Sequence, residues 1–300
     1  MNTYRVLWRG RVIRWQSRRN GVAVVAVALF AVTLVAAMAL SRPPAIGARE
    51  APAEGQTAVG YAGGRLSVYG QQRAVPIGSL AKVMTAYVVL RDHPLFVGGN
   101  GPTLTVDEAA EQDYRSRRPS GQSLLKVQAG DRLTERQAIE ALMVPSANNI
   151  ADLVAIWDAG SIGAFVAEMN ATARGMGLAH THYADPSGYS PGTVSTALDQ
   201  TRLAEWAVKI PELAAAASLR SADFPRASNV RNYNALLGTD GVFGLKTGTT
   251  DQAGGNVVFA AHRHGRLIVG AVLGQKIGAS TRESLSVAFG IAAYLIESLT

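Results

Sequence analysis

Pro76-Ile77-Gly78-Ser79-Leu80-Ala81-Lys82-Val83-Met84 is the stretch on which the reading of this chain turns. Leu80, Val83, Met84, Tyr87 and Val88 recur at the spacing of one buried helix face, so Ser79 is predicted to open a helix. Lys82 follows three residues later on the same side, where its amine can approach the serine hydroxyl. That hydroxyl is a poor nucleophile until a neighbouring base takes its proton. Lysine serves as the base only where burial or a nearby cation brings its pKa down from about 10.4. Taken alone, Ser-X-X-Lys is a short pattern that chance supplies, and its plain alternative is an exposed lysine on a helix.

Two further motifs follow in order, Ser146-Ala147-Asn148 and Lys246-Thr247-Gly248-Thr249. Thr134 and Gln137 form a capping box ahead of Ala138, Ile139, Leu142 and Met143, so a helix runs up to Pro145. Ser146 to Asn148 then falls in a tight connection before a helix near Ile150 to Trp157. Lys246 to Thr249, on a predicted edge strand, offers a cation and two hydroxyls suited to a carboxylate. Its charge also depresses the pKa of Lys82. The backbone N–H groups of Ser79 and Thr249 are candidates for an oxyanion hole. The three motifs in this order read as an acyl-transferring serine site.

Lysine usage supports the assignment. Of the 29 Lys and Arg residues only Lys82, Lys126, Lys209, Lys246 and Lys276 are lysines, and two of these five stand in the motifs. Arginine cannot replace Lys82 as a base, because it stays protonated at any relevant pH.

The net charge of +7 suggests nucleic acid only until it is located. Arg5, Arg9, Arg11, Arg14, Arg18 and Arg19 place six positive charges and no acid in residues 1–20, so the remaining 280 residues carry +1. No nucleic-acid partner is expected. Residues 21–40 are an uncharged run of 20 apolar or small residues, the length that crosses a hydrocarbon core of about 30 Å. With the arginines before it, the run is read as a single-pass membrane anchor that keeps residues 1–20 cytoplasmic and sends the rest outside. Ala37-Met38-Ala39 offers the alternative of signal cleavage and secretion. Ser17-Arg18-Arg19 fits a twin-arginine signal poorly because of the Asn20 and Gly21 that follow.

The absence of cysteine excludes disulfides, thiolate metal sites and a cysteine nucleophile. The five histidines include His180 with His182 and His262 with His264, but no His-Glu-X-X-His, and are read as surface or turn residues. No metal and no cofactor are expected.

Residues 41–56, rich in Pro, Ala and Gly, are read as a linker, and 57–300 as the catalytic domain. Residues 57–61 and 65–69 are predicted to pair as a hairpin across Gly63-Gly64. Residues 91–121 are expected to be loop-rich with one short helix. A helical middle stretch follows, with one helix begun by Ser161 and another begun by Ser195 or Thr196 and interrupted by Pro211. Residues 244–249, 256–261 and 267–273 read as strands. Ser280 and Glu283 cap a last helix, whose stripe of Leu285, Ala288, Ile291 and Leu295 is expected to pack on the sheet.

With these motifs, Pro76-Ile77-Gly78, Asp185-Pro186-Ser187-Gly188, Ser195-Thr196-Ala197 and Gly241-Val242-Phe243-Gly244-Leu245, the chain resembles the penicilloyl-serine transferases, and among them the D-alanyl-D-alanine carboxypeptidases, over about residues 57–300. The resemblance implies an α/β (α+β) fold of the β-lactamase and DD-peptidase type: an antiparallel sheet flanked by helices, with an inserted all-helical subdomain. It implies Ser79 as acylated nucleophile, Lys82 as its base and Ser146 as proton shuttle. It further implies Asn148 as orienter of the substrate amide, and Lys246, Thr247, Gly248 and Thr249 as the carboxylate site for peptidoglycan stem peptides ending in D-Ala-D-Ala. β-Lactams are the expected inhibitors. Ala147 and Asn149 stand where relatives often have Gly and Asp. A transpeptidase or endopeptidase using the same acyl-enzyme differs only in the acceptor. A β-lactamase needs a further base, for which Glu205 and Glu212 are the candidates, and neither is followed by the expected Leu and Asn. A non-catalytic cell-wall binding module has no need of Lys82 and Ser146.

Overall fold

The structure is a computed structural model that describes residues 54–96 and 98–299, together with Leu7–Trp8 and Arg11–Val12. The chain divides into two compact units, Met1–Arg49 and Glu50–Thr300. In the first, Leu7–Trp8 and Arg11–Val12 pair antiparallel, with Leu7 opposite Val12. The apolar run 21–40 and most of the expected linker lie outside the described residues, and so does the anchor read from them. Among the described residues no single helix is long and apolar enough to cross a membrane.

The second unit begins with β1 (Gln56–Tyr61) and β2 (Ser67–Tyr69), which form the predicted hairpin, and β3 (Val75–Pro76) leads to the Gly78–Leu80 turn. Helix α1 (Ala81–Asp92) follows, then β4 (Thr103–Thr105), α2 (Glu108–Arg117), β5 (Arg132–Thr134), α3 (Glu135–Met143), α4 (Asn148–Ala159) and α5 (Ile162–Gly175). The chain continues through β6 (Val194–Ser195), α6 (Ala197–Ala207), α7 (Pro211–Ser218), β7 (Ser221–Phe224) and β8 (Ala227–Arg231). It closes with β9 (Val242–Thr250), β10 (Gly254–Arg263), β11 (Arg266–Gln275) and α8 (Thr281–Glu297).

One five-stranded sheet joins the two ends of the unit in the order β9-β10-β11-β1-β2, every neighbouring pair antiparallel. Its central strands are apolar along their length: Val257 to Ala261 of β10 and Ile268 to Leu273 of β11 are buried at successive positions. That pattern marks a sheet covered on both faces. Helix α8 packs on β10 and β11, and α6 on β11 and β1. Helix α1 is buried on nearly every side, so its centre is the middle of the domain rather than an amphipathic surface.

The caps read from the sequence form as expected. Thr134 and Gln137 make the reciprocal capping box of α3, Ser161 Oγ accepts from the Ala164 N–H, and Thr196 Oγ1 accepts from the Asp199 N–H. Pro211 does not interrupt a helix but opens α7 at its first turn, where a missing N–H costs nothing. The middle stretch is not wholly helical: β7 and β8 pair there, with Val230 opposite Ala222. In α8 the buried face is Ser284, Ala288, Ala292, Leu295 and Ile296, rotated by about one residue from the expected stripe. That rotation turns Leu285 towards the cleft described next.

Candidate active site

Residues from well-separated segments line a cleft of about 530 Å³, among them Ser79, the 120–123 loop, Ser146 and Asn148, the 188–191 loop, and Thr247 to Gln252 at the end of β9. The sheet edge forms one wall and the helical region the other.

Ser79 sits in the 3-10 turn between β3 and α1, and α1 itself begins at Ala81, two residues later than the serine. Gly78 has φ +53°, a conformation that strains any residue with a Cβ. Serine at a helix start ordinarily spends its hydroxyl as a cap, but no side chain caps either helix start here. The Ser79 hydroxyl instead lies 2.9 Å from Lys82 Nζ.

Lys82 is wholly buried. Its Nζ donates to Asn148 Oδ1 at 2.6 Å and to the Ser187 carbonyl at 2.8 Å. Burial holds its pKa well below the ordinary lysine value, and the positive charge of Lys246 lowers it further; Asp185 and Asp152 act in the opposite direction. The Ser187 carbonyl is held by its own loop. Asp185 accepts from Ser187 Oγ at 2.6 Å, from Thr193 Oγ1 at 2.5 Å and from the Tyr189 N–H at 2.9 Å. Gly188, with φ +79°, lets this loop lie on the serine turn, since a Cβ there would come within 1.9 Å of the Gly78 carbonyl oxygen.

Ser146, Ala147 and Asn148 make the connection between α3 and α4, and Asn148 is the first residue of α4. Ser146 takes φ +59°, its side chain is buried, and its Oγ has no hydrogen-bond partner. A strained, unpartnered hydroxyl facing a cleft is destabilising for the fold and available for chemistry. Asn148 bridges the walls: its Oδ1 accepts from Lys82, and its Nδ2 donates to Gln122 Oε1 at 2.9 Å. Asn149 ties down the same loop through both backbone groups of Leu125.

β9 is the edge strand of the sheet, as expected for Lys246 to Thr249. Thr247, Gly248 and Thr249 line the cleft, whereas Lys246 lies behind its wall, 1% exposed, with Nζ donating to the Thr247 carbonyl at 3.0 Å. Burial brings the pKa of Lys246 down to about 7. Gly248 rests directly on the serine turn: a Cβ there would stand 2.9 Å from the Ser79 nitrogen and 2.7 Å from the Ile77 oxygen. A Cβ on Gly78 would in turn stand 3.1 Å from the Thr249 nitrogen. The two backbone segments that carry the Ser79 and Thr249 N–H groups therefore touch.

All eight residues singled out from the sequence converge here. The sequence reading missed Gln122, which falls just beyond a segment of no recognisable pattern, and the cleft-lining Tyr189, Tyr233 and Asp251. Asp251 is the one charged side chain lining the cleft among the described residues. Glu205, half-buried, accepts from the Gly63 N–H, and Glu212 is buried in α7; neither lines the cleft.

The D-alanyl-D-alanine carboxypeptidase of Streptomyces sp. strain K15 is 30% identical over 213 residues, covering 65% of this chain and 71% of that protein. The D-alanyl-D-alanine carboxypeptidase DacC of Escherichia coli K12 is 28% identical over 263 residues, covering 83% of this chain and 62% of that protein. In three dimensions the crystal structure of the Streptomyces K15 DD-transpeptidase matches with a TM-score of 0.70 at 26% identity, covering 80% of this chain and 96% of that one. The sequence pattern of the D-alanyl-D-alanine carboxypeptidase family, serine peptidases of the S11 type, matches residues 44–277, more than three quarters of the chain. The chain belongs to that family.

Proposed function

We propose that this protein removes the terminal D-alanine from peptidoglycan stem peptides ending in D-Ala-D-Ala, through an acyl-enzyme on Ser79. The observation that carries the reading is the set of three partners around Lys82 Nζ. Two are carbonyl oxygens, of Asn148 and Ser187, which accept and cannot donate; the third is the Ser79 hydroxyl. A neutral amine has two N–H bonds and one lone pair. The two carbonyls take both N–H bonds, so the lone pair of neutral Lys82 faces the Ser79 O–H. Burial and Lys246 favour that neutral form.

Acylation then runs as follows. Lys82 takes the Ser79 proton as Oγ bonds to the carbonyl carbon of the penultimate residue. The developing oxyanion is met by the Ser79 and Thr249 N–H groups. Ser146, unpartnered in the free site, gives its proton to the leaving nitrogen as the C–N bond breaks and D-alanine departs, and takes the proton held by Lys82 in its place, which leaves Lys82 neutral again. Thr247 and Thr249, with the field of Lys246, hold the terminal carboxylate. Asn148 aligns the substrate amide through its Nδ2. Water then adds to the ester, losing its proton to Lys82, which returns it to Ser79 Oγ as the ester C–O bond breaks. β-Lactams present the same carbonyl to Ser79 and inhibit as slowly hydrolysed esters.

The relatives' names divide among carboxypeptidase, endopeptidase and transpeptidase, a division over which bond is cut and which acceptor resolves the ester. Hydrolysis is favoured here because nothing further than water is required. Release of D-alanine from a D-Ala-D-Ala peptide by the protein and by Ser79→Ala tests the reading. Release lost in the variant supports it; transfer to an added amine without hydrolysis assigns a transpeptidase; labelling by a fluorescent penicillin without turnover of either kind rules out both. We further propose that residues 21–40 anchor the protein in the cell membrane with the catalytic domain outside, on the strength of the arginine-flanked apolar run. An N-terminus beginning after Ala39 in the mature protein would instead mean cleavage and secretion.

A further inference from the structure

Beside the cleft lies a second concavity of about 340 Å³, lined by Arg220, Ser221, Asn229, Arg231, Asn232 and Asn234. It forms at the open end of the β7–β8 hairpin, where Arg231 stands opposite Ser221 and the Asn232 N–H donates to the Arg220 carbonyl at 2.9 Å. Its lining holds two guanidinium groups and no acid. Neither arginine side chain has an acidic partner among the described residues. Of the acids close in sequence, Asp223 accepts from the backbone N–H of Asn229, and Asp240 pairs with Arg263.

An independent observation comes from Asn234, which is 4% exposed. Its Oδ1 accepts from the Leu236 N–H at 3.1 Å, and its Nδ2 has no partner. A buried donor left unpaired is unfavourable, and native structures rarely keep one without a reason. Gly238 shapes the same place, since a Cβ there would lie 2.0 Å from Arg220 Nη2. The guanidinium is thus laid against the 236–239 turn. Two arginine forks around one cavity, with no acid in its lining, match an oxyanion.

The segment 232–234 is a wall common to both cavities: Tyr233 lines the catalytic cleft while Asn232 and Asn234 line the second pocket. The cleft offers no cation of its own to an anionic group of the ligand beyond the terminal carboxylate site, and Asp251 repels one. Resting on the reading of the cleft as a D-Ala-D-Ala peptide site, we propose that the pocket binds a carboxylate of the same peptide, carried on a residue upstream of the D-Ala-D-Ala terminus.

The test uses full-chain Ser79→Ala protein and pairs of peptides ending in D-Ala-D-Ala. Within a pair, one upstream residue carries a carboxylate in one peptide and the carboxamide in the other; three pairs place it one, two or three residues before the terminus. Calorimetric titration is expected to show, for at least one pair, about fivefold tighter binding of the acid. That preference should vanish in Arg220→Gln/Arg231→Gln, whose exposed positions leave the fold intact, as thermal melting will check. Equal affinities in every pair, a preference that survives the double substitution, or binding of inorganic phosphate alone with the pairs tied would each overturn the proposal. D-Alanine release by the unmodified protein reads the activity separately. Release with tied pairs removes the subsite and leaves the carboxypeptidase standing, a preference without release does the reverse, and no binding of any peptide overturns both.

Discussion

Asn148 Oδ1 accepts a 2.6 Å hydrogen bond from Lys82 Nζ across 66 residues of chain, joining the first motif to the second. The contact fixes the asparagine amide: with Oδ1 on the lysine, Nδ2 must point away, and it does so onto Gln122 Oε1. Lys82, the Asn148 amide and the 120–125 loop are therefore held as one unit.

Gln122→Leu is expected to loosen that unit. It leaves Nδ2 without its acceptor, a loss of about 1–3 kcal/mol for a group so buried. We expect kcat for D-alanine release to fall roughly tenfold, with the melting temperature changed by only a few degrees. A variant within twofold of the parent in both kcat and KM would show that Gln122 does not position Asn148.

The pH profile should report Lys82. Lysine loses its charge as pH rises, so the basic form accumulates through its folded pKa and acylation follows a rising limb. Lys246 lowers that pKa; Lys246→Met should therefore move the limb of the acylation rate, measured with saturating labelled penicillin, to higher pH. A limb that stays in place or moves down contradicts the coupling. Stability carries the matching sign. Lys246 has a folded pKa of about 7 against about 10.4 unfolded, so between these values the unfolded chain binds more protons and stability rises with pH. Lys246→Met should flatten that rise in denaturant melts.

Ser146→Gly should separate stability from activity. Relief of the φ +59° conformation is worth about 1–2 kcal/mol, set against about 0.4–1 kcal/mol from the greater freedom of glycine in the unfolded chain. We expect a slightly higher melting temperature together with a fall in D-alanine release of about 10²-fold or more, the scale of a lost proton-transfer group. Unchanged release would remove Ser146 from the proton path.

Gly248→Ala tests the close approach of β9 to the serine turn. The added methyl meets backbone atoms at 2.7 to 3.0 Å, which cannot swing aside as a side chain would. The strand must move away from Ser79, so penicillin labelling should be nearly abolished in a protein that still melts cooperatively. Labelling at the parent rate would show that the two segments need not touch.

The helix starts and the sheet strands were legible because their signals are local. Thr134 with Gln137, Ser161 and Thr196 satisfy N–H groups within three residues of themselves, and β10 and β11 announce burial by unbroken apolar runs. The β7–β8 hairpin was not legible, since Ser221 to Arg231 is polar and half-exposed and owes its pairing to what surrounds it. The three motifs were legible as residue types in order, and so was the need for a depressed lysine pKa. Only the tertiary structure decided which atoms meet: that the Ser187 carbonyl and Asn148 both accept from Lys82, that Gln122 accepts from the Asn148 amide, and that Lys246 lies behind the cleft wall. Those contacts join segments 66 and 105 residues apart, and periodicity and capping act over a turn or a strand, too short a range to encode them.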